Sequence, residues 1–143
     1  MQIVEAREVT AELLAAVNGL LPQLSSAALS MSAADLAAFV QADASRLFMA
    51  VEEEKYYGML TLICFATPTG RRARIEDLVV DSLARGKGAG RQLLAHAIQA
   101  AGAWGARAVD LTSNPARLAA NRLYRQMGFE PLTTNVYRLA LPR

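Results

Sequence analysis

Val79-Val80-Asp81-Ser82-Leu83-Ala84-Arg85-Gly86-Lys87-Gly88-Ala89-Gly90-Arg91-Gln92-Leu93-Leu94 is the stretch that decides how this chain of 143 residues is read. A β-branched pair closes a strand, a short turn follows, and glycines at 86, 88 and 90 open a helix. In that helix Leu93, Leu94, Ala97 and Ile98 fall on one stripe. The first amides of a helix lack intrahelical acceptors, and the macrodipole adds partial positive charge at that end. The junction is therefore suited to an anion. Glycine has no Cβ, so a phosphate can come close to the main chain, and Arg85, Lys87 and Arg91 add full positive charge around it. No Gly-Lys-Ser/Thr stands at the spacing of a Walker loop, and Arg91 occupies the place where a dinucleotide fingerprint needs its third glycine. Taken alone, the loop is also compatible with a tight turn that opens a helix and binds nothing.

Working outward, residues 73–81 read as the strand that delivers the loop, and residues 88–102 as the helix that leaves it. Upstream, residues 2–6 form a short alternating strand. Residues 11–21 form a helix with Thr10 as its cap and Pro22 just past its end. Residues 32–44 form a second helix, with Ser32 as cap and Asp35 at the capping-box position. Residues 47–51 and 56–65 read as strands joined by a polar hairpin connection, and residues 67–70 as a turn. Downstream, residues 106–112 read as a strand. Asn114 and Pro115 open a helix that runs to about Met127 and stops at Gly128. Residues 129–132 and 136–141 finish as strands. The order β-α-α-β-β-β-α-β-α-β-β predicts one mixed α/β (α+β) domain over residues 1–143. It has a central sheet of about seven strands flanked by about four helices.

Composition narrows the function classes. The net charge is only +2, and the basic residues come in small groups without aromatic interleaving. This argues against nucleic acid as a partner and for a small polyphosphate. No apolar run approaches the roughly 20 residues that span a bilayer, and Glu5, Glu8 and Glu12 are out of place in a signal peptide. Cys64 is the single cysteine, so a reducing cytoplasm is the expected location. No His/Cys/Asp cluster has metal-ligand spacing. His96 and Cys64 read as structural residues, and Trp104 as packing behind the loop's helix. Tyr56, Tyr57 and Tyr137 are open to either an acceptor pocket or the core.

Two motifs together carry a resemblance. Val80-x-x-x-x-Arg85-Gly86-x-Gly88-x-Gly90 resembles the signature of the GNAT acetyltransferases. Ala120-Asn121-Arg122-Leu123-Tyr124-Arg125-Gln126-Met127-Gly128-Phe129 resembles the family's Ala-x-x-x-Tyr-x-x-x-Gly-Phe. Ser82 stands where the family often has proline, and Arg117 where many members have an asparagine seven residues before the tyrosine.

The resemblance implies an acyl-CoA N-acyltransferase fold and acetyl-CoA as cofactor. Its pyrophosphate would lie on the amides of Arg85, Gly86, Lys87, Gly88, Ala89, Gly90 and Arg91. Its pantetheine would lie along the main chain of Leu78, Val79 and Val80, where the family's strand bulges and splays from its neighbour. The Leu78 amide would polarise the thioester carbonyl and stabilise the oxyanion. Tyr124 would protonate the departing thiolate, and Asn121 would contact the cofactor from the same helix face. Glu76 would deprotonate the amine. Strand alternation puts it on one face with Leu78 and Val80 unless a bulge intervenes.

The implied reaction is direct acetyl transfer to a primary amine in a ternary complex. The acceptor is expected to be a small molecule, and the protein a monomer or homodimer. A protein (lysine or N-terminal) acetyltransferase, a non-catalytic acyl-CoA sensor and a nucleotide-binding domain are the competing readings.

Overall fold

The computed structural model describes residues 1–142. The chain falls into two compact units, one of residues 1–112 and one that starts at residue 113.

The first unit is built on a sheet in the order β1-β2-β3-β4-β5. Its strands are β1 (Gln2–Ala6), β2 (Ser45–Glu52), β3 (Lys55–Thr67), β4 (Gly70–Val80) and β5 (Val109–Asp110). The first four pair antiparallel as successive neighbours, and β5 pairs parallel to β4. Helices α1 (Ala11–Leu24) and α2 (Ala33–Gln41) precede β2, and α3 (Ala89–Trp104) links β4 to β5.

Side-chain alternation divides the sheet into two faces. Leu47, Met49, Met59 and Val79 share a core with Leu13, Val17 and Leu20 of α1 and Leu36 of α2. Phe48, Leu60 and Leu62 are buried with the opposite phase, as are Leu93, Leu94, Ala97 and Ala101 of α3, which packs against β2, β3 and β4. Burying each of the leucines stabilises the fold by roughly 1.5–3 kcal/mol. His96 of α3 joins this second core, its ring edge-on to Phe48 at 4.7 Å.

The predicted caps are in place. Thr10 Oγ1 accepts from the Leu13 amide at 3.1 Å and Ser32 Oγ from the Asp35 amide at 3.1 Å. Pro22 lies inside α1, not after it. In the last turn its missing N–H forfeits one bond without stopping the helix. Asn18 ties the following loop down, accepting from the Met31 amide at 2.8 Å and donating to the Met31 carbonyl at 3.0 Å.

The second unit contains α4 (Leu118–Gln126). Residues 129–142 form no strand, so the described sheet has five strands where about seven were expected. Residues 129–132 include Pro131, which has no N–H for a ladder. Residues 136–141 keep an alternating pattern, but alternation cannot supply a neighbour to pair with. Leu132, Val136, Tyr137, Leu139 and Leu141 are all exposed. The strand expected over 106–112 shrinks to Val109–Asp110. No described helix is long and apolar enough to cross a membrane.

Candidate active site

The centre of the first unit's site is an irregularity in β4. Glu76 stands opposite Thr61 on β3, and Val79 stands opposite Met59. Leu60 therefore faces two residues, Asp77 and Leu78, which is a β-bulge. Asp77 adopts φ 54°, a left-handed conformation that aspartate tolerates better than most residues. The extra residue resets the alternation. Ile75 pairs with Leu62 and Val80 with Gly58, and both belong to the face covered by α3. Glu76 and Val79 belong to the face covered by α1 and α2. Glu76 thus shares a face with Val79 and not with Val80, which corrects the plain alternation expected from sequence.

Glu76 Oε1 receives Arg74 Nε in a short ion pair, with both side chains about one-third exposed. Arg74 Nη2 also lies 3.4 Å from Thr112 Oγ1. Asp77 is exposed. Even so, partial burial of its carboxyl, seconded by the charge of Glu76, pushes its pKa above the ordinary carboxylate value.

The same strand loses its outer neighbour just before the bulge. Pairing with β5 covers only Ala73 with Val109 and Arg74 with Asp110. The Ala73 amide donates to the Ala108 carbonyl at 3.2 Å, and Arg107 donates to the Arg71 carbonyl at 3.0 Å. Past Arg74, β4 has no ladder partner on its β5 side among the described residues.

Beyond Val80 the chain turns into a single 3-10 turn, Ser82–Ala84. Asp81 caps it by accepting from the Leu83 amide at 3.0 Å. Gln23 of α1 reaches over to accept from the Ser82 amide at 2.9 Å. The amides before the loop are thus satisfied. In the loop the Lys87 amide donates to the Ala84 carbonyl at 3.4 Å, and no side chain among the described residues caps α3. Among the described residues no protein acceptor meets the amides of Gly86, Gly88, Ala89 or Gly90. Gly86 (φ 85°) and Gly88 (φ 82°) are left-handed, and a Cβ at either would meet nothing within 4 Å. Arg85, Lys87 and Arg91 are exposed around the loop, and Lys87 Nζ lies 5.6 Å from the Tyr57 ring centroid.

Gly58, opposite Val80, has a different reason to be glycine. A Cβ there would stand 3.0 Å from the Val79 carbonyl oxygen and 3.2 Å from Leu93 Cδ1, so its absence lets α3 seat closely on the end of β4.

In the second unit, α4 presents Asn121 and Tyr124. Asn121 Nδ2 donates to the Asn114 carbonyl at 3.0 Å, so its amide is engaged in holding the turn before the helix. Tyr124 is buried and packs edge-on to Phe129, ring centroids 6.0 Å apart. Its hydroxyl has no hydrogen-bond partner among the described residues. Burial raises its pKa, opposed by the charge of Arg117, so the phenol keeps its proton firmly at neutral pH. The Gly-Phe of the second motif has a physical reason. Gly128 (φ 98°) donates to the Arg125 carbonyl at 3.1 Å, and Phe129 to the Tyr124 carbonyl at 3.0 Å. These are the two bonds of a Schellman cap, and the Tyr124–Phe129 contact is its customary hydrophobic partner.

The sequence-predicted residues therefore divide. Glu76, Leu78, Val79, Val80 and the run from Arg85 to Arg91 lie together in the first unit, and Asn121 and Tyr124 lie in the second. Sequence reasoning missed Asp77 and Gln23. An isolated glycine in a strand was the available signal for Gly58; nothing local marks Gln23.

The model of the acetyltransferase (GNAT) family matches residues 15–129. The chain belongs to that family and is an acyltransferase by descent and fold. A solved transcriptional regulator from Bacillus halodurans C-125 is 26% identical, with 98% of this chain and 100% of that chain covered at a TM-score of 0.80. Aminoglycoside acetyltransferase meta-AAC0020, from an uncultured soil metagenomic sample and in complex with trehalose, is 20% identical, covering 97% and 96% at a TM-score of 0.82. Aminoglycoside N-acetyltransferase AAC(6')-Iy in complex with CoA is 19% identical, covering 97% and 95% at 0.79. At these identities the last two show a shared fold. No curated protein matches the sequence.

Proposed function

We propose that the protein transfers the acetyl group of acetyl-CoA to the primary amine of a small molecule, by direct attack in a ternary complex. The observation that carries this reading is the continuity of two features. Among the described residues the amides of Gly86, Gly88, Ala89 and Gly90 have no protein acceptor, and just upstream β4 runs past the end of its pairing with β5. The residues fit the cofactor: the loop offers donors, positive charge and open space where side chains would otherwise intrude.

Bound acetyl-CoA would supply an activated thioester. The amides of 85–91, with Arg85, Lys87 and Arg91, would hold its diphosphate. The main chain of Leu78, Val79 and Val80 would align the pantetheine, and the Leu78 amide would donate to the thioester oxygen. Tyr124, whose raised pKa keeps it protonated, would give its proton to the departing sulfur. Asn121 has one amide oxygen left for a ligand contact. A carboxylate of the Glu76–Asp77 pair would take the amine's proton. The small-molecule acceptor is favoured by the two aminoglycoside acetyltransferases that share the fold. Cys64, buried and with a pKa raised by that burial, stays outside the chemistry and suits a reducing cytoplasm.

The test is free-thiol release from acetyl-CoA across a panel of aminoglycosides, polyamines, aminoalkyl compounds and lysine peptides, beside calorimetric titration with CoA. Amine-dependent release with a small-molecule acceptor is expected. CoA binding without release by any amine would favour a sensor, and release only with peptides would favour a protein acetyltransferase.

A further inference from the structure

We propose that Asp77, not Glu76, is the carboxylate that takes the proton of the attacking amine, and that Glu76 is a positioning residue for it. This inference rests on the acetyl-transfer reading above.

The first argument is geometric. The bulge lifts Asp77 out of the β3–β4 ladder, and its side chain is exposed, with no hydrogen bond or ion pair among the described residues. Glu76 is already engaged by the Arg74 guanidinium. A carboxylate holding a guanidinium is a weaker base and has fewer lone pairs to offer. The second argument is position. Consecutive Cα atoms are about 3.8 Å apart, so Asp77 adjoins the Leu78 amide proposed to polarise the thioester. It also lies past Arg74, where β5 ceases to pair with the strand. The third is the residue type. A left-handed bulge residue is met most easily by glycine or asparagine, so the turn by itself does not call for a carboxylate at φ 54°.

Partial burial and the neighbouring charge of Glu76 both raise the Asp77 pKa, which makes it a better proton acceptor near neutrality. The titratable side chains on the elements packed against β4 are Glu12 of α1, Lys55, Tyr56, Tyr57 and Cys64 of β3, Arg91 and His96 of α3, and Asp110 of β5. Among these and Arg71, Arg72, Arg74 and Glu76 of its own strand, Glu76 is the group whose charge acts on Asp77. In the step itself the amine nitrogen bonds to the carbonyl carbon and its proton passes to the Asp77 carboxylate. The carbon–sulfur bond breaks, and the thiolate takes a proton from Tyr124.

The experiment compares Asp77→Asn, Asp77→Gly and Glu76→Gln. Asparagine and glycine both keep the left-handed backbone, so a purely structural role would survive them. Expected for Asp77→Asn is a loss in kcat of about 100-fold or more, the range for a positioned base. KM for acetyl-CoA should hold and the melting temperature should not fall. Glu76→Gln is expected to lose less and to move the acidic limb of the kcat/KM profile to lower pH, because removing the like charge lowers the Asp77 pKa. In the cofactor-free protein, carboxyl carbon NMR should find Asp77 titrating above the ordinary aspartate range, and lower in Glu76→Gln. Asp77→Asn with wild-type kcat beside a disabled Glu76→Gln overturns the proposal, as does an Asp77 titration indifferent to position 76. Wild-type protein that fails to bind CoA overturns the parent reading and this one with it, whereas binding and turnover with an unimpaired Asp77→Asn overturn this one alone.

Discussion

Gly88→Glu separates a phosphate cradle from an ordinary helix-opening turn. Gly88 sits at φ 82°, ψ 11°, and a Cβ there meets nothing within 4 Å. The first side-chain atom therefore has room, and the cost to stability set by the left-handed backbone is about 1–2 kcal/mol. The ligand would meet a much larger effect. A carboxylate about 6 Å from one uncompensated charge of a diphosphate, at an effective dielectric of about 20, raises the free energy of binding by roughly 2.8 kcal/mol, about 100-fold in Kd. Because the term is electrostatic, near 1 M salt, with a Debye length of about 3 Å, most of it should vanish. Gly88→Ala carries the strain without the charge and should show little of this salt dependence. Calorimetric titration with CoA at low and high salt, beside thermal melts, measures both parts. A Gly88→Glu protein that binds CoA with wild-type affinity at low salt would refute the assignment of the loop amides to a diphosphate.

Tyr124→Phe removes a hydroxyl with no partner among the described residues, so its melting temperature should stay near wild type while kcat falls by about 10²-fold, within the range for a general acid; unchanged turnover in the thiol-release assay removes Tyr124 from the chemistry. Gly58→Ala drives a methyl against the Val79 carbonyl at 3.0 Å and Leu93 at 3.2 Å, an overpacking that should cost about 1–3 kcal/mol in urea unfolding, and an unaltered midpoint would contradict the close seating of α3. The raised pKa of Asp77 means the fold favours its protonated form, so its stabilising contribution is full below the unfolded value of about 3.9 and is lost as pH climbs through the folded value. Asp77→Asn cannot ionise and should gain on wild type in melting temperature between pH 4 and pH 7; a difference that does not change with pH speaks against the shift.

What was legible in the sequence follows from which interactions are local. The caps at Thr10 and Ser32, the strand-loop-helix from Val79 to Leu94 and the helix end at Gly128 each depend on residues within a few positions of one another, and each stands where it was expected. Pairing is not local. Residues 136–141 alternate as a strand should, yet a strand exists only where a neighbouring edge accepts it, and Tyr137 and Leu139 stand exposed. Residues 106–112 show the same limit, since only Val109 and Asp110 find partners on β4. Gln23 is another such case: its bond to the Ser82 amide joins residues 59 apart in sequence.

The bulge shows why the candidate site was harder to place than the fold. Ile75-Glu76-Asp77-Leu78-Val79-Val80 alternates well enough to read as an unbroken strand, and an unbroken strand would set Glu76 and Val80 on one face. One inserted residue opposite Leu60 reverses that assignment for everything downstream. Val79 then enters the core beneath α1 and α2, and Val80 turns to the α3 side, beside Gly58. A carboxylate at 77 costs the fold little, because aspartate is among the few side chains that accept a left-handed backbone. It also sits where the ladder to β5 has already ended among the described residues. The irregularity that defeats period-two reasoning thus places a carboxylate beside a stretch of β4 that has no ladder partner on its β5 side among the described residues. Deleting Asp77 should restore regular pairing, leave Glu76 opposite Thr61 and on the Val79 face, and still abolish thiol release from acetyl-CoA in a sheet that survives, because the carboxylate itself is gone; retained turnover would refute the assignment.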